Sequence, residues 1–161
     1  MMKKFPRIVV YIDGASRGNP GPSACAVAIF DKNRTLIHEE GSYLGKSTNN
    51  FAEYSALHLA LALSRRFGSE NIEIFSDSEL LVKQFSGEYK IKDAKLLELM
   101  MKIKKESLKF KKLKLCYIPR KQNVYTDKLV NKILNNAKMT NVLDKNIEKE
   151  KKTRFYQPNL F

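Results

Sequence analysis

The stretch YIDGASRGNPG, residues 11–21, joins an apolar run to a glycine-rich turn. The run IVVYI, residues 8–12, predicts a buried strand that ends on an acid, Asp13. Backbone N–H groups in a glycine-rich turn can hold a phosphate group. A carboxylate at the same place would repel that phosphate unless a cation lay between them. The stretch therefore predicts a site at a strand end that binds both a cation and a phosphate.

The pattern of the whole chain predicts an α/β fold. Further apolar runs predict strands over residues 23–30, 35–45, 71–77 and 112–118. Helical periodicity predicts helices over residues 49–67, 78–85, 93–109 and 123–136. Ser76 and Glu79 form a capping-box pattern at the start of the second helix. The order βββαβαβα indicates a mixed sheet with helices on its faces, its first three strands forming an antiparallel meander.

The composition indicates one domain with a polyanionic partner. The 161 residues include 30 Lys+Arg against 17 Asp+Glu, a net charge of +13, which favours binding to nucleic acid, with an acidic membrane surface as the alternative. No run approaches the roughly 18 apolar residues of a membrane span, and the start lacks a signal-peptide core. Cys25 and Cys116 lie in apolar strand-like runs, which indicates reduced, buried residues of a cytoplasmic protein.

Four acids are expected near one end of the sheet. Asp13 and Asp77 each end an apolar strand, and they meet at one edge if their strands are parallel neighbours. Glu53 and Asp127 lie in the first turns of helices, at the end of inward-facing apolar stripes. Taken singly, Glu53 and Asp127 can be explained by the helix dipole and Asp77 by a helix cap. Four acids close together, however, repel one another unless a cation compensates or some of them stay protonated. Oxygen ligands without His or Cys favour Mg²⁺ or Mn²⁺, and two such ions suit displacement at phosphorus.

Four motifs together carry a resemblance to a known family: DGASRGNPG (13–21), TNNFAEYSAL (48–57), IFSDSELLVKQ (74–84) and NVYTDKLVN (123–131). The chain resembles ribonuclease H of type 1 over residues 7–137, in an archaeal-like form without the basic handle. The resemblance implies a monomer with a five-stranded mixed sheet in the order 3-2-1-4-5. It also implies endonucleolytic hydrolysis of the RNA strand of RNA/DNA hybrids, leaving 3′-hydroxyl and 5′-phosphate ends, with Asp13, Glu53, Asp77 and Asp127 as catalytic ligands of two metal ions.

The same resemblance implies a set of substrate contacts. The positions that match the family's contacts to the hybrid are Gly14, Ser16, Gly18, Asn19, Asn49 and Asn50, and Thr48 falls near the pocket for a DNA-strand phosphate. The glycines are also explained by the dihedral angles of the turn, and we expect one of the two asparagines to cap the helix while the other contacts substrate.

The chain departs from many relatives in the loop before the fourth acid. Arg120 lies where these relatives carry a histidine, and we expect it to hold the scissile phosphate or the leaving group. His38 and His58 lie on a strand and in a helix, where structural roles are expected. Thr126 replaces a usual alanine, a change we expect to be tolerated. Residues 83–114 carry eleven lysines and four acids, which can take over the role of the missing handle or can be a solvated helix face.

The residues alone leave two alternative functions open. One is another nuclease of this fold, acting on double-stranded RNA or on junctions. The other is a hybrid-binding module without catalysis, which the four intact acids disfavour.

The sequence divides into a catalytic domain, residues 1–137, and a charged flexible tail, residues 138–161. The tail contains QPNLF, residues 157–161, which resembles the Gln-x-x-Leu-Phe peptide that holds bacterial DNA sliding clamps. In that interpretation Leu160 and Phe161 fill an apolar pocket and Gln157 hydrogen-bonds at its rim. The alternatives are that these side chains fold back onto the domain or mediate self-association.

Overall fold

The computed structural model describes residues 3–138 of the chain. Its five strands are β1 (Arg7–Ser16), β2 (Gly21–Asp31), β3 (Leu36–Ser47), β4 (Asn71–Ser76) and β5 (Lys112–Tyr117). Its helices are α1 (Asn49–Arg66), α2 (Glu79–Ser86), α3 (Ala94–Ser107) and α4, which begins at residue 124 and continues to residue 138. A short 3₁₀ helix, Arg120–Gln122, precedes α4. The tail predicted over residues 138–161 lies outside the described residues except for its first position.

The strands form one mixed sheet in the order β3-β2-β1-β4-β5, as predicted. The β1–β2 and β2–β3 pairs are antiparallel, whereas β1–β4 and β4–β5 are parallel. The parallel pairs bring the carboxyl ends of β1, β4 and β5 to one edge of the sheet. This edge is where the sequence places Asp13 and Asp77.

Two apolar layers fix the helices to opposite faces of the sheet. The larger layer includes Ile12 and Cys25 from the sheet and Leu57 from α1, all essentially without solvent exposure. The smaller layer packs Ala24 and Ala26 of β2 against Val130 and Leu134 of α4. Since alternate residues of a strand point to opposite faces, α1 and α4 cover opposite faces, and acids carried by both helices can reach the same edge.

Two local predictions were wrong. The first strand does not end at Asp13, because β1 stays paired with β2 as far as Ser16, opposite Ser23. The second helix is capped by Ser78 instead of Ser76, since the Ser78 hydroxyl accepts the N–H of Leu81 at 3.2 Å. The Ser76 hydroxyl accepts the N–H of Ser78 and so supports the turn that precedes the helix.

The cysteines differ in their surroundings. Cys25 is buried, as predicted, but Cys116 is half-buried on the edge strand β5, so the prediction of a buried residue was wrong there. Neither forms a disulfide. None of the helices within residues 3–138 has the length and apolar character needed to cross a bilayer.

Candidate active site

The parallel pairing of β1 and β4 places two acids side by side. Ile12 is in register with Ser76, so the next residues along the two strands are Asp13 and Asp77. Asp13 is paired with Ala26 of β2 and therefore lies on the face of the sheet that α4 covers. Asp13 is 5% exposed, while Asp77 is half-buried.

A glycine lets the third acid reach them from the other face. A Cβ atom on Gly14 would lie 2.3 Å from the carbonyl carbon and oxygen of Ala52 and 2.5 Å from the nitrogen of Glu53. The backbone of α1 therefore lies directly against β1 at this position. The next residue of α1 beyond Ala52 is Glu53, which is 5% exposed. The missing side chain of Gly14 thus brings Glu53 next to Asp13.

The resulting cluster has the composition of a site for a hard divalent cation. Three carboxylate oxygens, one each from Asp13, Glu53 and Asp77, lie within 4.8 Å of one another. Oxygen Oε2 of Glu53 is buried and has no hydrogen-bond partner among the described residues. An orphaned carboxylate oxygen beside two further acids fits a cation better than it fits a structural network. The acidic triad therefore has the donors to bind a divalent metal ion.

The fourth acid lies beside this triad. Asp127 is half-buried in the first turn of α4, and it is not part of the set of three oxygens within 4.8 Å. Its charge still contributes to raising the pKa values of Asp13 and Asp77. Asn131, one turn later, donates from its amide to Asp127 Oδ2 at 3.4 Å, and it accepts from Arg17 at 3.4 Å.

Burial and mutual repulsion make the acids difficult to ionise together. Burial, followed by the charges of Asp77 and Asp127, raises the pKa of Asp13 to about 8. Burial, followed by the charges of Asp13 and Asp77, raises the pKa of Glu53 well above its usual range. Burial also raises the pKa of Asp77, against a hydrogen bond from Asn123 and the charge of Arg120. A cation bound among these acids would stabilise their ionised forms.

These pKa shifts predict how the stability of the metal-free protein depends on pH. Between the unfolded pKa near 4 and the raised folded values, the folded state binds more protons than the unfolded state, so stability falls as the pH rises. We expect the free energy of unfolding in EDTA to be lower at pH 8 than at pH 5.5, by an amount on the order of a few kcal/mol. Urea unfolding at the two pH values measures it. The decrease in the free energy of unfolding from pH 5.5 to pH 8 should be smaller in the Asp13→Asn variant. An equal decrease in both proteins would contradict the assignment to this cluster.

Arg120 places a positive charge close to the triad. It is exposed, at the start of the 3₁₀ helix that follows β5, and its charge acts to lower the pKa values of Asp13, Glu53 and Asp77. The two histidines lie elsewhere. His38 on β3 contacts Glu40 at 3.4 Å and packs beside Phe67, just after the C-terminal end of α1.

The glycine-rich turn is connected to the start of α1 through four of the predicted substrate-contact residues. The Ser16 N–H donates to Asn49 Oδ1 at 3.3 Å, and the Asn49 N–H donates to Asn19 Oδ1 at 3.1 Å. The Ser16 hydroxyl donates to the carbonyl of Gly18 at 2.6 Å, where a φ of +96° favours glycine. The turn and the N-terminus of α1 therefore form one connected surface next to the acids.

The helix cap of α1 differs from the prediction. Neither Asn49 nor Asn50 caps it, because Thr48 is the N-cap and its hydroxyl accepts the N–H of Phe51 at 3.2 Å. Asn50 is half-buried in the first turn. Thr48 also lines a groove together with Lys46, Asp93 and Lys95. The predicted partner residues Gln157, Leu160 and Phe161 lie outside the described residues.

Sequence reasoning missed Asn123 as a member of the site. This residue is 1% exposed and donates from its amide to the carbonyl of Ile12 at 2.8 Å. In the sequence it is an ordinary helix-capping residue before α4. The detectable signal was its position four residues before Asp127, at the end of the helix that reaches the acidic edge.

Comparisons with known proteins agree with this architecture. A family model described as "Reverse transcriptase-like" matches residues 11–133. Ribonuclease HI of Halobacterium salinarum is 36% identical over 131 residues, which is 81% of this chain and 66% of that protein's length. The bifunctional protein Rv2228c of Mycobacterium tuberculosis is 32% identical over 139 residues, 86% of this chain and 38% of that protein. The chain thus spans less than two thirds of these relatives.

Solved structures show the same fold over most of this chain. The crystal structure of RNase H1 from Halobacterium salinarum has 35% sequence identity and a TM-score of 0.78, covering 81% of this chain and 98% of that one. LC11-RNase H1, isolated from compost by a metagenomic approach and crystallised in complex with an RNA/DNA hybrid, has 39% identity and a TM-score of 0.77, with the same coverage.

Proposed function

The chain belongs to the ribonuclease HI family, and on this basis we propose that it is an endonuclease that hydrolyses the RNA strand of RNA/DNA hybrids. The observation that carries the proposal is the acidic triad, whose carboxylate oxygens lie within 4.8 Å of one another at the carboxyl ends of β1 and β4. The structural similarity to LC11-RNase H1, which was crystallised with a hybrid, supports the choice of substrate. The net charge of +13 supports a nucleic-acid partner.

The proposed cofactor is Mg²⁺, as two ions, with Mn²⁺ as a substitute. The ions would be held by Asp13, Glu53, Asp77 and Asp127. Magnesium is the choice that fits three observations: the donors of the triad are oxygens, the triad contains no His or Cys, and one oxygen of Glu53 has no hydrogen-bond partner. Bound divalent ions would supply positive charge at the scissile phosphate and lower the pKa of the attacking water. The expected products are a 3′-hydroxyl and a 5′-phosphate.

The remaining predicted contacts would orient the hybrid. The turn carrying Gly14, Ser16, Gly18 and Asn19 and the N-terminus of α1 with Asn49 and Asn50 present backbone and amide groups next to the acids. Such groups suit the 2′-hydroxyls that distinguish RNA from DNA. Thr48, which lines a groove with Lys46 and Lys95, would contact a phosphate of the DNA strand.

Arg120 would stabilise negative charge on the scissile phosphate or the leaving group. We expect Arg120→Ala to lower the rate of hybrid cleavage about tenfold or more, since a guanidinium beside developing charge is a strong interaction. The matched control replaces both His38 and His58 with Gln and should leave the rate nearly unchanged. Single-turnover rates at saturating Mg²⁺ rank the two variants. A larger loss in the double histidine variant would contradict the role of Arg120.

A substrate panel tests the proposal against its alternatives. The purified protein is incubated with Mg²⁺ and labelled RNA/DNA hybrid, double-stranded RNA, double-stranded DNA or a four-way DNA junction. We expect cleavage of the RNA strand of the hybrid at a rate well above that for the other substrates. Preferential cutting of a junction would favour another nuclease of this fold. Tight hybrid binding without cleavage in Mg²⁺ or Mn²⁺ would favour a binding module.

The segment QPNLF supports a proposed interaction with a DNA sliding clamp. Deleting residues 157–161 should leave hybrid cleavage within about twofold of the full chain and remove binding to the cognate clamp. Binding is measured with the clamp at tens of micromolar, a concentration suited to a weak peptide contact. If the full chain does not bind the clamp at that concentration, the proposed partner is wrong.

A further inference from the structure

Two buried polar side chains lie at the start of α4, beside the acidic cluster. Asn123 is 1% exposed and Thr126 is completely buried. The Thr126 hydroxyl donates to Asn123 Oδ1 at 2.5 Å, and the amide nitrogen of Asn123 donates to the carbonyl of Ile12 at 2.8 Å. The pair therefore connects α4 to the residue of β1 that immediately precedes Asp13.

The hydrogen bonds of Asn123 differ from those of an ordinary helix cap. Its backbone carbonyl accepts the N–H of Asp127 at 3.2 Å, which puts Asn123 at the N-cap position of α4. An asparagine there normally uses its side-chain oxygen to accept a backbone N–H from the first turn. Here that oxygen accepts the Thr126 hydroxyl, and the amide NH₂ points to β1.

This orientation matters for the acids because one residue links β1 to the start of α4. The Asn123 side chain bonds to the carbonyl of Ile12, just before Asp13, and acts to lower the pKa of Asp77, while its backbone starts the helix turn that carries Asp127. Because the hydroxyl donates to the amide oxygen, the NH₂ group stays directed toward the carbonyl of Ile12. Without that donor, the amide oxygen is unpaired in a buried place, and rotation to cap α4 becomes the favourable alternative.

We propose that Thr126 is a positioning residue: its hydroxyl holds the Asn123 amide toward β1 and so keeps Asp127 in place relative to Asp13 and Asp77. Thr126 does not contact the substrate in this account. Its effect on the metal ions rests on the proposed function, whereas its effect on the Asn123 amide does not.

The test uses three variants of the full chain. Thr126→Val keeps the shape of the side chain and removes the donor, Thr126→Ala removes the donor without a branched side chain, and Thr126→Ser keeps the hydroxyl. The side-chain NH₂ resonances of Asn123 are followed by NMR in metal-free protein, and Mg²⁺ binding is followed by titration of the same spectra. Melting temperatures are measured in EDTA.

We expect Thr126→Val and Thr126→Ala to shift the Asn123 amide resonances, to speed their exchange with water and to weaken Mg²⁺ binding about tenfold. Thr126→Ser should keep the wild-type resonances and bind Mg²⁺ within about twofold of wild type. A purely structural role would lower the melting temperature without changing Mg²⁺ affinity.

The inference is overturned if Thr126→Val and Thr126→Ala keep both the wild-type amide resonances and the wild-type Mg²⁺ affinity, or if Thr126→Ser behaves like Thr126→Val. A wild-type protein that binds no Mg²⁺ would contradict the proposed function instead. In that case the metal-free amide resonances still decide whether the hydroxyl orients Asn123.

Discussion

Replacing Asp13 with Asn is expected to lower the rate of hybrid cleavage by at least about a thousandfold, because the charge that is removed lies at the centre of the acidic cluster. Asp13 interacts electrostatically with Asp77 and Asp127, and its charge acts on Glu53 in turn. Asn has nearly the same size and retains one side-chain oxygen, so the loss reports on charge and metal binding more than on shape. Single-turnover cleavage of a labelled hybrid at saturating Mg²⁺ measures it.

The same variant should fold at least as stably as the wild type when metal is absent. Removing one of several mutually repelling carboxylates relieves unfavourable charge in a buried place, most strongly at pH 7 to 8 where the wild-type cluster loses protons. Asp31→Asn is the matched control. Asp31 is paired with Ile8 at the opposite end of β1, and its Oδ1 accepts the N–H groups of Asn33 and Thr35, which an Asn oxygen can also do. Retention of most activity in Asp13→Asn, or a large drop in its metal-free melting temperature, would contradict the site.

Gly14→Ala is expected to have the second-largest effect, on stability and on activity together. The added methyl group would lie 2.3 Å from backbone atoms of Ala52, so α1 or β1 must move. No truncation of a neighbouring side chain can relieve a clash with backbone. Overpacking of this kind costs about 1–3 kcal/mol, and a displacement of Glu53 by about 1 Å can cost about a hundredfold in rate. Urea unfolding and single-turnover cleavage measure the two effects.

Gly45→Ala separates this clash from the general cost of replacing a glycine. Gly45 lies on β3 with a φ of +72°, and a Cβ atom there would meet no heavy atom within 4 Å. The expected cost is the backbone strain alone, about 1 kcal/mol, with cleavage retained. If Gly14→Ala is as active and as stable as Gly45→Ala, the close approach of α1 to β1 does not position Glu53.

The fold followed from the sequence because its signals were local and consistent. Each strand was a distinct apolar run, and the order of strands and helices, with the family resemblance, predicted the sheet that is observed. Asp13 and Asp77 could be placed together because parallel neighbouring strands end at the same edge. Glu53 could be placed from its position on the inward face of α1.

The remaining details depended on contacts between distant segments, which one sequence does not reveal. The role of Gly14 arises from the backbone of Ala52, 38 positions later, so periodicity within either segment could not show it. The cap of α1 was misassigned because Thr48 and Asn49 are both residue types that cap helices well, and Thr48 is the one that does so. The side-chain oxygen of Asn49 instead accepts the N–H of Ser16, and its backbone N–H donates to the side chain of Asn19. The hydrogen bond from Thr126 to Asn123 could not be predicted either, because it depends on the buried orientation of that amide.

The most direct test of the central claim is the Mg²⁺-dependent cleavage of an RNA/DNA hybrid labelled in its RNA strand, with analysis of the product ends. We expect internal cuts in the RNA strand, products with 3′-hydroxyl and 5′-phosphate ends, and no cleavage in EDTA or by Asp13→Asn. Undiminished cleavage of the hybrid in EDTA, or no cleavage by the folded wild-type protein in either Mg²⁺ or Mn²⁺, would contradict it.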